Sequence, residues 1–149
     1  MAGSTLIPSL RYRDAEAAIS WLERAFGFVR HAHYPGPDGT VAHAELRHGS
    51  GMIMLGSESN PNPYPQFSAT PEEIGGRVTS ALYLVVEDCR PVWESCRAAG
   101  AEVVLELREM DYGGRAFTVR DPEGYSWAVG EYDPWAAHEA ATGGQSASE

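Results

Sequence analysis

Lysine is absent from this chain. All 11 basic residues are arginine, set against 21 carboxylates, for a formal net charge of −10. An acidic field of that size disfavours nucleic acid and anionic membranes as partners and favours cationic ligands, although solubility alone accounts for it equally well. The missing lysine is read as codon bias rather than chemistry. Cysteine is nearly absent too, with only Cys89 and Cys96. Seven apart on a predicted helix, they share a face at about 10 Å, too far for a disulfide. They read as small core or surface residues rather than reactive thiols. No apolar run approaches the roughly 18 residues that a membrane span needs. The N-terminus lacks the charged-then-apolar pattern of a signal sequence, so a cytoplasmic protein is expected. Nucleophile elbows of the form G-x-S-x-G and phosphate loops of the form G-x-x-x-x-G-K-[ST] are missing; Gly49-Ser50-Gly51 reads as a hairpin turn.

What the chain does have is apolar content of 43% in 149 residues. That suffices for one ordinary domain, or two small halves sharing a core, and excludes disorder for most of the length. The first half opens with TLIPSLRYRD, a strand ending at Asp14. A helix AEAAISWLERAF follows, with Asp14 as its N-cap, Gly27 past its end, and Ile19, Leu22 and Phe26 on its buried stripe. Next come the strand FVRHAHY, a PGPDG turn, the strand VAHAELR, the turn HGSG and the strand MIMLG. The second half repeats the order. SALYLVVED ends at Asp88, which caps the helix CRPVWESCRAA closed by Gly100; AEVVLELRE, RAFTVR and YSWAVG are strands separated by DYGG and DPEG turns. Each half is β-α-β-β-β. The repeat lies in punctuation more than identity: Asp14 matches Asp88, Gly27 Gly100, Gly51 Gly124, and Gly56 Gly130. The expected organisation is a first module over 1–56, a proline-rich connection over 57–78, a second module over 79–135 and a polar tail over 136–149. The connection carries Pro61, Pro63, Pro65 and Pro71 with Tyr64 and Phe67 in its middle. A loop that long is usually a linker or a lid, and this one could cover a cavity.

A doubled βαβββ unit closed by DYGGRAFTVRDPEGYSWAVG resembles the vicinal oxygen chelate superfamily. That superfamily contains glyoxalase I, extradiol dioxygenases, fosfomycin-modifying enzymes and bleomycin-resistance proteins. The resemblance covers residues from about 5 to about 133, and HAELRHGSGMIML looks most like the glyoxalase/bleomycin-resistance and PhnB-like branch. It implies an α+β fold in which two βαβββ modules curl into an open, curved barrel around a cleft. It also implies a homodimer, with clefts built or bordered by both subunits. Metal-using members place four ligands in the cleft, one each from the first and fourth strands of both halves. Counting from the capping aspartates and aligning Gly56 with Gly130 carries those places onto Ile7, Met54, Ala81 and Ala128. None of these can ligate a hard divalent ion through a carboxylate or imidazole. A site without metal or other cofactor is therefore expected.

Side-chain alternation assigns the cleft-facing residues. Leu82, Leu84 and Val86, and Ile53 with Leu55, form the rows against the helices. The opposite rows hold Ile7, Ser9 and Arg11; Met52 and Met54; Ala81, Tyr83 and Val85; and Ser126 with Ala128. On the third strands Ala42, Ala44 and Leu46 are expected on the helix side, leaving His43 and Glu45 towards the cleft, with Ala116, Thr118 and Arg120 as their counterparts. The candidate ligand-binding set is thus Ser9, Arg11, His43, Glu45, Met52, Met54, Tyr83, Thr118, Arg120 and Ser126. Methionine conforms to irregular shapes and aromatic rings stack on flat ones, although barrel filling explains the methionines as well. His43 and Glu45 read either as a solvent-facing polar pair or as a working dyad, and Arg120 as a partner for Asp121 or Glu123. Zinc on His31, His33, His43 and Glu45 is an alternative with the right ligand types, but nothing in the sequence fixes the register of the two strands. These residues support a metal-free protein sequestering a bulky aromatic, and by its charge cationic, small molecule such as a drug or natural product. The alternative is an isomerase, lyase or dioxygenase-like enzyme of the same superfamily with His43 or Glu45 as general base. A non-catalytic partner protein is a third reading.

Overall fold

The computed structural model describes residues 3–136; the polar tail expected over 136–149 lies, apart from its first residue, outside the described residues. The elements run β1 (Ser9–Tyr12), α1 (Ala15–Phe26), β2 (Val29–Pro35), β3 (Val41–His48), β4 (Gly51–Ser57), β5 (Leu82–Val85), α2 (Cys89–Ala98), β6 (Glu102–Glu109), β7 (Arg115–Arg120) and β8 (Ser126–Gly130). They form two open four-stranded sheets, ordered β1-β4-β3-β2 and β5-β8-β7-β6. In each sheet the first strand lies parallel to the fourth, and the remaining pairs are antiparallel. This is the doubled βαβββ plan. Among the described residues no helix is long and apolar enough to cross a membrane.

Both helices begin and end where their caps dictate. The Asp14 carboxylate accepts from Ala17 N, and Gly27 closes α1 at φ 80°. The Asp88 carboxylate accepts from Arg90 N, and Gly100, at φ 79°, follows the end of α2. A left-handed residue at a helix terminus costs least when it is glycine. The first strand of each half is shorter than its apolar run: β1 and β5 pair over four residues each.

The halves join through their helices and aromatic residues. Trp127, from β8, packs against Phe26 and Phe28 with ring centroids 4.9 and 5.7 Å away. Trp21 Nε1 donates to Ala99 O at 2.8 Å, and Ser95 Oγ to Ala25 O at 2.6 Å. Cys89 and Cys96 face this core. Burial, assisted by the Glu131 carboxylate, pushes the Cys89 thiol up to about 11, and burial alone pushes Cys96 to about 12. Both remain inert thiols at neutral pH. Among the described residues, no layer covers the sheet faces opposite the helices beyond the proline-rich connection over β1: Tyr34 and Tyr83 are 58% and 44% exposed.

Candidate functional site

Strand register sets the first sheet's open face. Ser9 pairs with Met54, Met54 with Glu45, and Glu45 with Ala32, so these four form one row across the sheet. Arg11 and Gly56 belong to a neighbouring row, as do His43 and Tyr34. The parity reading therefore places Ser9, Arg11, His43, Glu45 and Met54 on one face. It errs at Ala42. Tyr34 pairs with His43 and Pro35 with Val41, so Ala42 is skipped in a bulge; it is exposed, and Val41 takes the buried place instead. In the second sheet Tyr83, Ala128, Thr118 and Leu105 share a row, and Ser126 lies beside Arg120. Tyr83 leans across Gly130. A Cβ there would lie 2.3 Å from Tyr83 Oη, and that hydroxyl donates to Tyr132 O at 2.8 Å.

The candidate residues divide among different places. Ser9 and Arg11 line a cavity of about 490 Å³ between β1 and the proline-rich connection. Tyr64 and Phe67 reach it from the connection, Tyr125 from the turn before β8, and Glu58 and Glu73 add two carboxylates. Arg11 donates to Ser57 O, and its guanidinium lies over the Tyr64 ring, 5.1 Å from the centroid. The Tyr64 and Phe67 rings are 5.5 Å apart at 55°. Tyr125 Oη donates to Arg11 O at 2.7 Å, fixing the floor. Ser126 lines a smaller adjoining cavity of about 100 Å³. Met52 and Tyr83 meet in a third, of about 340 Å³, walled by Leu6, Ala81, Phe28 and Trp127. His43, Glu45, Met54, Thr118 and Arg120 line none of these three.

On the open face, His43 Nε2 lies 2.9 Å from Glu45 Oε2, and the Tyr34 ring stacks on the imidazole with centroids 6.1 Å apart. Arg120 pairs with neither Asp121 nor Glu123; its guanidinium donates to Gly76 O at 2.7 Å and ties down the end of the connection. The four-residue zinc reading is overturned. His31 falls at a register shift between Arg30 and Ala32, and His33 sits opposite Ala44 on the helix face, bonded to Glu16. His43 and Glu45 point the other way. Among the described residues no three His, Cys, Asp or Glu side chains converge as a metal site.

Sequence reasoning missed Tyr34, Tyr125, Glu58 and Glu73, and saw Tyr64 and Phe67 only as residues of a covering loop. Their one sequence signal is that connection, with aromatic residues and carboxylates set among prolines. It also missed a buried network at the module junction. The Asp121 carboxylate accepts from Tyr12 Oη at 2.6 Å, Trp127 Nε1 at 3.1 Å, and the backbone N–H groups of Glu123 and Tyr125 at 3.0 and 3.1 Å. Nearby, Glu123 accepts from the backbone N–H groups of Arg13 and Asp14.

A family model described as the Glyoxalase/Bleomycin resistance protein/Dioxygenase superfamily matches residues 5–129. The chain belongs to that superfamily. The match is to the superfamily and does not single out the PhnB-like branch. An uncharacterized protein of Mycobacterium bovis is 35% identical over 126 residues, covering 85% of this chain and 82% of its own. TioX from Micromonospora sp. ML1 superposes with TM-score 0.69 at 31% identity, covering 88% of this chain and all of TioX. The fosfomycin resistance protein FosX of Listeria monocytogenes, solved with Mn(II) and 1S,2S-dihydroxypropylphosphonic acid, shares the fold. Its TM-score is 0.63 at 12% identity, over 90% of this chain and 94% of FosX.

The superfamily's metal can be tested against the residues present. The four family positions hold Ile7, Met54, Ala81 and Ala128, none of them a carboxylate or imidazole, the donors that a hard divalent ion demands. Register sets Ser9 and Glu45 beside Met54, and Tyr83 and Thr118 beside Ala128. Glu45, the one carboxylate among these neighbours, is bonded to His43, and among the described residues no three such donors converge. The residues do not fit a metal.

Proposed function

We propose that the protein binds a bulky planar small molecule without a metal and holds it chemically unchanged. The observation that carries this reading is the cavity beneath the connection. Its volume of about 490 Å³ falls in the range of ligand sites, which combine apolar or aromatic walls with a few placed polar groups. Tyr64 and Phe67 supply the aromatic surface; Arg11, Ser9 and Tyr125 supply the polar groups. FosX was solved with a metal, but the family positions here offer no donor for one, so a manganese-dependent reaction is not carried over. Titration with the neutral planar fluorophore 1-pyrenemethanol tests the reading. The double substitution Tyr64→Ala/Phe67→Ala should weaken binding by roughly 5–30-fold, the loss of about 1–2 kcal/mol of aromatic contact. Unchanged affinity in that variant would remove the site.

A second reading, catalysis, is favoured by one observation. A carboxylate bonded to one nitrogen of His43 leaves the other free, the arrangement that orients an imidazole as a general base. Recovery of a chemically altered ligand, lost in His43→Ala, would decide for it.

The uncovered sheet faces support a homodimer in which a second copy borders the cleft. Light scattering at micromolar concentration should give about twice the 16.2 kDa chain mass. A monomer mass would dismiss the dimer.

A further inference from the structure

We propose that the cavity beneath the proline-rich connection takes a flat, delocalised organic cation, its ring against Tyr64 and Phe67 and its charge beside Glu58 and Glu73. This inference rests on the binding reading above and adds the chemical class of the ligand.

Three features converge. First, the aromatic surface already carries a cation of this kind. The Arg11 guanidinium, flat and delocalised, lies over the Tyr64 ring at 5.1 Å, and Phe67 offers a second ring beside it. Guanidinium-like cations are weakly hydrated and stack on aromatic faces, whereas a compact ammonium holds its water more strongly.

Second, the cavity's carboxylates, Glu58 and Glu73, have no direct ion-pair partner among the described residues. Glu73 accepts a hydrogen bond from Thr70 Oγ1 at 3.1 Å. Glu58 faces Glu73, with Glu123 further off and Arg13 as the opposing charge; burial first, and then the Glu73 carboxylate, raise its proton affinity. Arg13 is engaged elsewhere, 2.6 Å from Glu72 and 3.7 Å from Glu123. Two carboxylates thus face each other, with Arg11 as the other charged side chain lining the cavity, and a bound cation would relieve their mutual repulsion.

Third, Arg11 does not supply that relief. Its guanidinium is held by Ser57 O and by the Tyr64 face. It opposes a ligand cation, but as one charge against two carboxylates. Pro61, Pro63 and Pro65 stiffen the segment that presents the two rings, which lowers the ordering cost of binding.

The test titrates the full chain with three flat fluorophores of differing charge: proflavine (cation), 1-pyrenemethanol (neutral) and 1-pyrenesulfonate (anion). The chains compared are the wild type and Glu58→Gln/Glu73→Gln. Proflavine should bind most tightly to the wild type. The double substitution should weaken it at least tenfold more than it weakens 1-pyrenemethanol. Equal affinity for all three probes, preference for the sulfonate, or indifference of proflavine to the substitutions overturns the cation inference and leaves the binding reading intact. Failure of all three probes to bind the wild type overturns both. Should the double variant not fold, Glu58→Gln alone and the salt dependence of the wild type decide. Proflavine affinity should then fall with added salt much more steeply than that of the neutral probe, and parallel curves would overturn the proposal.

Discussion

Replacing Asp121 with alanine is expected to destabilise the fold by about 2–5 kcal/mol, because buried neutral donors lose their common acceptor. Asp121 is 4% exposed, and two of its donors are as deeply placed: Tyr12 at 0% and Trp127 at 2%. Removing the carboxylate strands the Tyr12 hydroxyl and the Trp127 indole N–H, at about 1–3 kcal/mol for each unsatisfied group. The loss is tempered because burial raises the carboxyl's proton affinity, outweighing the hydrogen bonds from Tyr12, Trp127 and the backbone that lower it. The pH dependence has a definite sign. A folded-state pKa above the unfolded value contributes stability that is fully present below the unfolded pKa and is lost as pH rises through the folded one. Acidification from about pH 7 to about pH 4 should therefore raise the wild type relative to Asp121→Asn. Urea unfolding followed by tryptophan fluorescence measures both effects. A loss below about 1 kcal/mol for Asp121→Ala would mean the junction does not depend on this network.

Trp127→Ala should cost a similar amount, about 3–5 kcal/mol. Trp127 is among the largest fully buried side chains and belongs to the second sheet, yet its ring rests on Phe26 and Phe28 of the first half. Its removal opens a void at the seam between the halves, next to the cavity of about 340 Å³ that it already borders. Full collapse around the void is opposed by α1 and α2, which pack against each other across the same seam. Because Trp127 also donates to Asp121, the two alanine substitutions should be less than additive. Independent, additive losses in the double variant would show that packing and network act separately.

The elements that local chemistry controls were legible in the sequence. Helix α1 spans the residues between the Asp14 cap and Gly27, and β7 coincides with RAFTVR between its two turns. β1 and β5 were not delimited as well, because an apolar run records burial whereas a strand ends where its neighbour stops pairing. β4 meets β1 only from Ser9 to Tyr12. Alternation put His43 and Glu45 together on the sheet face opposite the helices, where register has them, but misplaced Ala42, since a bulge shifts the period without altering composition. The same blindness produced the zinc reading: a register shift at His31 and the bond from His33 to Glu16 cannot be seen in H-x-H spacing.

The site was less legible than the fold because its contacts join distant segments. Arg11 meets Tyr64 across a connection whose path no local rule sets, and Tyr12 meets Asp121 across 109 positions. Parity identified Glu45 as the cleft's carboxylate, whereas Glu58 and Glu73, outside any strand, are the acids at the roofed cavity. The residue types at the four family positions, by contrast, can be read without knowing the path of the connection, and that reading tolerates small errors of register.

The most direct test of metal-free binding under the connection is a titration of one preparation with 1-pyrenemethanol before and after exhaustive dialysis against a chelator, followed by chromatographic recovery of the probe. Affinities equal within about twofold are expected, with a loss of roughly 5–30-fold in Tyr64→Ala/Phe67→Ala and recovery of the probe unaltered. Loss of binding on chelation, restored by a divalent metal, would contradict metal-free binding.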